Sequence, residues 1–256
     1  MDESKFASLF DLRGRTALVT GGTRGIGLAL AEGFVCAGAN VAVASRKADA
    51  CREAAEHLTG MGGRAIGVAT HVGDLDSLTN LVDATVTEFG GLDIVVNNAA
   101  LALAQPLGEM TPLAWDKSFA VNLRAPVFLV QAALPHLNES EHAAVLNVVS
   151  AGAFIFSPIT SMYSAAKAAM VSFTRSMAAE YAGRRIRVNA LAPGSVDTDM
   201  VRNNTPEFID AMAHSALQQR IGTPDEMVGA ALLLTSDAGS FITGQTIIAD
   251  GGMVAR

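Results

Sequence analysis

The sequence predicts an α/β protein built on a single doubly wound parallel sheet of about seven strands, with helices on both faces. Short apolar runs alternate with longer amphipathic ones from Thr16 to Val95, the signature of repeated strand–helix–strand units. The first apolar run leads straight into a glycine-rich turn and a helix. No linker, repeat or low-complexity segment interrupts the 256 residues, so one domain over 1–256 is expected.

Composition narrows the function. Half the residues are hydrophobic and the mean hydropathy is +0.33, which fits a well-buried globular chain. A net charge of −7 repels phosphate backbones and argues against nucleic acid as a partner. Anionic cofactors then need local help from helix N-termini and individual arginines. Cys36 and Cys51 lack metal-ligand spacing and read as free thiols, and the five histidines form no pair at ligand spacing, so no metal site is expected. The opening Met1-Asp2-Glu3 has neither a basic lead nor an apolar core, and no run reaches the length of a membrane span. A cytoplasmic protein with no membrane partner is expected.

The first strand, Thr16–Thr20, runs into Gly21-Gly22-Thr23-Arg24-Gly25-Ile26-Gly27, and a helix continues to about Ala37. Glycines at 21, 25 and 27 let the backbone turn tightly and approach a pyrophosphate resting on the helix N-terminus. The spacing is Gly-x-x-x-Gly-x-Gly and departs from the general dinucleotide fingerprint; a bare structural turn is the other reading. The second strand, Val41–Ala44, ends at Ser45-Arg46-Lys47, where an acidic residue would accept the ribose 2′-hydroxyl of NAD. Arginine suits a phosphate there, and Arg24 adds a second cation, so NADP(H) is favoured over NAD(H). Two solvated surface cations remain the alternative, with Asp49 close enough to blur the reading.

A helix from Ala48 to about Leu58 precedes the Gly60–Gly63 loop and a third strand, Ala65–Ala69, which delivers His71 and Val72. Leu75, Leu78, Val82 and Val86 mark the 74–89 segment as an amphipathic helix. A fourth strand, Asp93–Val96, leads into Asn97-Asn98-Ala99-Ala100. The long helical region from Thr111 to about Leu137 holds Asn122 beside Pro126, which should kink it and leave carbonyls free. Asn122 either holds water at that defect or caps it locally.

The fifth strand, Ala143–Val149, places Ser150 at its carboxyl end, where open α/β sheets bind ligands. A loop from Gly152 to Pro158 leads to a helix carrying Tyr163 and Lys167. Residues four apart share a helix face, so phenol and ammonium can address one point, and a nearby cation is expected to lower the phenol pKa. The alanines of this helix (Ala165, Ala166, Ala168, Ala169) allow close packing against another helix, in this or a second subunit. A sixth strand, Ile186–Leu191, ends at Pro193-Gly194-Ser195-Val196-Asp197-Thr198. The irregular 199–220 segment reads as a substrate lid or as a plain surface excursion. A helix from about Pro224 to Leu234 and a last strand, Thr246–Ala249, lead to Asp250-Gly251-Gly252.

Taken together, these motifs resemble the short-chain dehydrogenase/reductase family over roughly Leu12 to Gly252. The match rests on the Thr20–Gly27 loop, Asn97-Asn98-Ala99, Ser150 with Tyr163 and Lys167, Pro193-Gly194 through Thr198, and Thr243-Gly244-Gln245 with Asp250-Gly251-Gly252. The overall pattern is most similar to the 3-oxoacyl-acyl-carrier-protein reductase branch. The resemblance implies a Rossmann-like fold, a homotetramer, and a catalytic tetrad of Asn122, Ser150, Tyr163 and Lys167. In it, Tyr163 exchanges a proton with the substrate oxygen and Ser150 steadies that oxygen. Lys167 holds the nicotinamide ribose and depresses the tyrosine pKa, and Asn122 anchors a relay water. By the same resemblance Val196 and Thr198 contact the nicotinamide carboxamide, Asn98 and Ala99 line the cofactor, and His71 and Val72 lie by the adenine. Ala100 stands where the family commonly has glycine, and His71 where it usually has aspartate or another small polar residue.

The expected activity is NADP(H)-dependent reduction of a ketone to a secondary alcohol, 3-oxoacyl thioesters included. The competing readings are an NAD-dependent alcohol or sugar dehydrogenase and, from another class, a non-catalytic nucleotide-binding scaffold. The stretches 101–107, 154–162 and 199–220 are mostly apolar and point to a greasy or acyl-like carbonyl or alcohol substrate more than to a sugar.

Overall fold

The computed structural model describes residues 2–255. After a short helix α1 (Glu3–Ala7) the chain enters β1 (Thr16–Thr20), α2 (Gly25–Cys36), β2 (Asn40–Ser45), α3 (Ala48–Gly60), β3 (Arg64–Ala69), α4 (Leu75–Phe89) and β4 (Ile94–Asn97). The second half runs α5 (Pro112–Phe119), α6 (Ala125–Leu137), β5 (Ala144–Val148), α7 (Ser161–Tyr181), β6 (Arg187–Pro193), α8 (Asp199–Arg202), α9 (Pro206–Ser215), α10 (Val228–Thr235) and β7 (Thr246–Ala249). The strands form one seven-stranded sheet in the order β3-β2-β1-β4-β5-β6-β7, every neighbouring pair parallel. The expected fold class is therefore observed.

Successive strand residues point to opposite faces, and the chain uses the alternation to build two apolar layers. Ala17 and Val19 of β1 pack with Leu30, Phe34 and Val35 of α2 and with Leu234 of α10. Leu18, between them, faces the other layer, with Leu81 of α4, Leu129 and Val130 of α6, and Met177 of α7. Both faces of the central strands are thus buried, which is why they read as continuous apolar runs.

Strand order reverses between β1 and β4, and a crevice opens there beyond their carboxyl ends. Asn98, just past β4, closes its floor: its Nδ2 donates to the carbonyls of Thr20 (2.9 Å) and Gly21 (3.2 Å). Thr20 reciprocates, its hydroxyl oxygen accepting from the Asn98 and Ala99 N–H groups.

Two sequence expectations change in detail. The 199–220 segment is not irregular: α8 and α9 occupy much of it, each with the residue before it in extended conformation and Pro206 opening α9. α8 is a single turn, too short for periodicity to show, whereas α9 carries Phe208, Ile209, Met212 and Ala213 at helical spacing, a pattern the flanking polar residues and Pro206 obscured. The expected kink in the long helical region is a π-helical turn over Ala120–Arg124, immediately before Pro126, with the Ala125 N–H donating to the Ala120 carbonyl. A widened turn absorbs the proline without ending the helix.

Candidate active site

The glycine turn fits a pyrophosphate. Gly21 and Gly25 have φ of +65° and +53°, conformations that side chains resist. A Cβ on Gly27 would lie 2.2 Å from the Gly21 carbonyl oxygen and 2.4 Å from Asn98 Nδ2, so only glycine closes the turn against the crevice floor. Arg24, at the N-cap of α2, makes no side-chain capping bond, and the first N–H groups of the helix face the turn free of side-chain caps. Thr23 and Ile26 are half-buried beside it, Ile26 packing onto the core layer beneath. The Thr198 methyl would meet a Cβ on Gly25 at 3.0 Å, which brings the loop between β6 and α8 over the turn. Val196 is buried in the core, so what it offers a ligand is main chain, while the Thr198 hydroxyl donates to the Val196 carbonyl at 3.3 Å.

At the far end of the crevice, the Ser45 hydroxyl is engaged by the Cys51 thiol (3.2 Å) and the Lys47 carbonyl. It shapes the turn that presents Arg46. Arg46 and Lys47 are exposed and form no ion pair among the described residues, whereas Asp49 is taken by Arg52 at 2.8 Å. Asp49 therefore does not neutralise Arg46. His71 is exposed, and Val72 is half-buried against the second core layer. Arg24 differs from its expected role in one respect: it is bound to Asp199, the first residue of α8, at 2.8 Å.

The other chemical cluster sits at the carboxyl edge of β5. Ser150 follows the strand and caps a short 3-10 turn, its Oγ accepting from the Gly152 N–H at 3.1 Å. Tyr163 lies on the first turn of α7 with the Ser150 hydroxyl in hydrogen-bonding reach. Lys167, one turn further on, is buried, its Nζ 5.6 Å from the Tyr163 ring centre and donating to the Val148 carbonyl at 2.7 Å.

The electrostatics correct one expectation. Burial pushes the Tyr163 phenol above its usual value of 10.0, and the Ser150 hydrogen bond only opposes that shift. The net direction is upward, with the Lys167 Nζ 5.6 Å from the ring centre. The lysine is itself pulled down from 10.5 to about 8 by burial, with its hydrogen bond directed to the main chain below. Spacing puts the two groups on one helix face but carries no measure of how deeply both are buried.

Asn122 is fully buried in the π-turn. Its side chain clasps Leu101, donating to that carbonyl at 2.7 Å and accepting from its N–H at 2.9 Å, and the second amide hydrogen goes to Ser118. Both amide hydrogens are committed, and Pro126, four residues on, has no N–H to offer the Asn122 main-chain carbonyl. The clasp on Leu101 was not foreseen. Neither was the buried chain beneath the site, where Asn97 Nδ2 donates to Asn147 Oδ1 and Asn147 Nδ2 to the Thr174 hydroxyl, both at 2.9 Å. A polar Asn147 inside an apolar strand was the available signal.

Comparison with known proteins supports the same picture. The family model described as "Enoyl-(Acyl carrier protein) reductase" matches residues 21–254. Dehydrogenase/reductase SDR family member 4 of Homo sapiens is 36% identical over 248 residues, covering 96% of this chain and 89% of that protein. The 3-oxoacyl-[acyl-carrier-protein] reductase FabG of Chlamydia trachomatis is 33% identical over 240 residues, 93% of this chain and 97% of that one. A solved structure from Beutenbergia cavernae, described as a candidate NAD(P)-dependent gluconate 5-dehydrogenase with bound NADP at low occupancy, superposes with a TM-score of 0.91. It is 34% identical and covers 97% of this chain and all of its own.

Proposed function

The chain belongs to the short-chain dehydrogenase/reductase family and is an NAD(P)-dependent oxidoreductase, and on that premise we propose that it uses NADPH to reduce a ketone to a secondary alcohol. The observation that carries the reading is the cluster of Ser150, Tyr163 and buried Lys167 at the carboxyl edge of β5, two strands from the glycine turn. When bound, the nicotinamide supplies a hydride to the carbonyl carbon. Tyr163 supplies the proton to the carbonyl oxygen, and a phenol pushed above its ordinary pKa is fully protonated at neutral pH and ready to give it. The Ser150 hydroxyl donates to the same oxygen and steadies the charge that develops there. The phenolate left behind faces the Lys167 ammonium, so the cation acts on the tyrosine after proton transfer rather than before it.

Lys167 also holds the nicotinamide ribose, and the Asn122 carbonyl holds the water through which the tyrosine is reprotonated. The Asn122 side chain, by clasping Leu101, fixes the chain that leaves the crevice floor. Gly21, Thr23, Arg24, Gly25, Ile26 and Gly27 cradle the pyrophosphate. Asn98, Ala99, Val196 and Thr198 line the nicotinamide end, with Ser45, Arg46, His71 and Val72 at the adenosine end. The unpaired guanidinium of Arg46 favours a 2′-phosphate, and so NADPH.

The enzyme works as a homotetramer in this reading. Support comes from the outward face of α7, where Ala165, Ala168 and Phe173 are exposed, together with Leu113 and Trp115 of α5 and Phe128 of α6. A monomeric mass in solution would remove that part. The activity is tested by screening carbonyl compounds while NADPH and NADH oxidation are followed separately. Ketone-dependent oxidation, faster with NADPH, is expected; oxidation with NADH alone overturns the coenzyme assignment.

A further inference from the structure

Two segments frame the mouth of the proposed catalytic cluster, and both are without charge. Residues 151–160 join Ser150 to the helix bearing Tyr163, and residues 101–108 follow the crevice floor from Ala100. They lie side by side, the Gln105 N–H donating to the Ile159 carbonyl at 2.8 Å. Their polar side chains turn to protein partners: Ser157 and Thr160 are hydrogen-bonded to each other, and Gln105 Oε1 accepts from the Thr111 N–H at 3.1 Å.

What stays exposed is apolar, namely Leu107, Phe154, Ile155, Phe156 and Ile159. Ile159 sits at φ 69°, in a tight turn closed by the Thr160 N–H on the Pro158 carbonyl at 2.8 Å. A β-branched residue resists that conformation, and such strain gathers where a surface must present a particular shape.

The cations near the mouth are engaged as well. Arg24 of the glycine turn pairs with Asp199 (2.8 Å), Arg202 with Asp197 (2.7 Å) and Arg220 with Glu226 (2.6 Å). Residues 199–220 carry no other arginine or lysine, and they expose Met200 and Phe208. A carboxylate in the substrate would find no free guanidinium on these segments, and an acidic carrier protein would meet neutralised charge.

We infer that the substrate is an uncharged ketone with an apolar body, and not a sugar acid or a ketone borne on an acidic carrier protein. The inference rests on the ketone-reductase reading and narrows it.

The test compares methyl ketones of increasing chain length with a keto-sugar acid and with a 3-oxoacyl group on its carrier protein, all with the full-length enzyme and NADPH. The expected kcat/KM climbs with each methylene, up to about fourfold where the added group is fully buried. Both anionic compounds should fall about tenfold or more below the longest ketone. Phe154→Ser with Ile155→Ser should flatten the climb. A flat series in the wild type, or a faster reaction with either anionic compound, overturns the inference. A second arm titrates the ketones calorimetrically into the Tyr163→Phe protein with NADP present. Affinity that grows with chain length supports the apolar site even where no ketone is turned over, a result that would count against ketone reduction alone. No binding, or no length dependence, overturns the inference.

Discussion

Burial of Lys167 carries an electrostatic cost, and removing the lysine has a defined signature. In the fold its pKa is about 8, against 10.5 for an unburied lysine, the whole of the shift arising from burial. A 2.5-unit difference corresponds to about 3.4 kcal/mol of stability given up at neutral pH. The folded value lies below the unfolded one, so between pH 8 and 10.5 the unfolded chain holds the extra proton and stability rises with pH. Over pH 7 to 10 this one group should contribute a rise of about 2.5 kcal/mol. Tyr163 and Tyr181, both raised, act in the opposite sense only above their ordinary pKa of 10.0 and are common to both proteins compared. The comparison is urea unfolding of coenzyme-free wild type and Lys167→Met at pH 7, 8, 9 and 10, followed by circular dichroism. The wild type should gain on the variant across that window. At pH 7 the variant should be the more stable by about 2 kcal/mol, the cost of burial less the net hydrogen bond to the Val148 carbonyl. Parallel pH curves, or a variant less stable at pH 7, would refute the burial argument.

Arg46→Asp should weaken NADPH binding about tenfold or more and leave NADH nearly unchanged, since it removes a phosphate donor and installs a repelling charge; equal losses in a fluorescence titration would remove the 2′-phosphate assignment. Gly27→Ala forces a Cβ into the 2.2 Å gap at the Gly21 carbonyl. The glycine turn must shift, and coenzyme binding should be lost with a destabilisation of about 1–3 kcal/mol; a variant that binds NADPH normally would show that the turn is not the cradle.

Much of the architecture was legible because parallel strands buried on both faces leave long apolar runs, and because caps and prolines punctuate the helices between them. The β1 boundaries agree to the residue, and α4 begins one residue after its N-cap, Asp74. Short helices at the surface were harder to read: in α9, Phe208, Ile209, Met212 and Ala213 do recur at helical spacing, but over ten residues and at most half-buried. Around the site, spacing placed Ser150, Tyr163 and Lys167 together. Long-range pairs such as Arg24–Asp199, and the clasp of Asn122 on Leu101, leave no trace in local pattern because their partners come from distant parts of the chain. The direction of the Tyr163 shift escaped for a related reason. Sequence shows which charges are near, whereas burial depends on everything packed around them.

The most direct test of the account is the rate of Tyr163→Phe beside wild type, with NADPH affinity measured on the same preparations. Removing only the hydroxyl should lower kcat by at least about a hundredfold, the range of a lost general acid, while the coenzyme dissociation constant stays within a few-fold. A variant that reduces ketone at a rate comparable to wild type would place the proton donor elsewhere and end the assignment of this cluster.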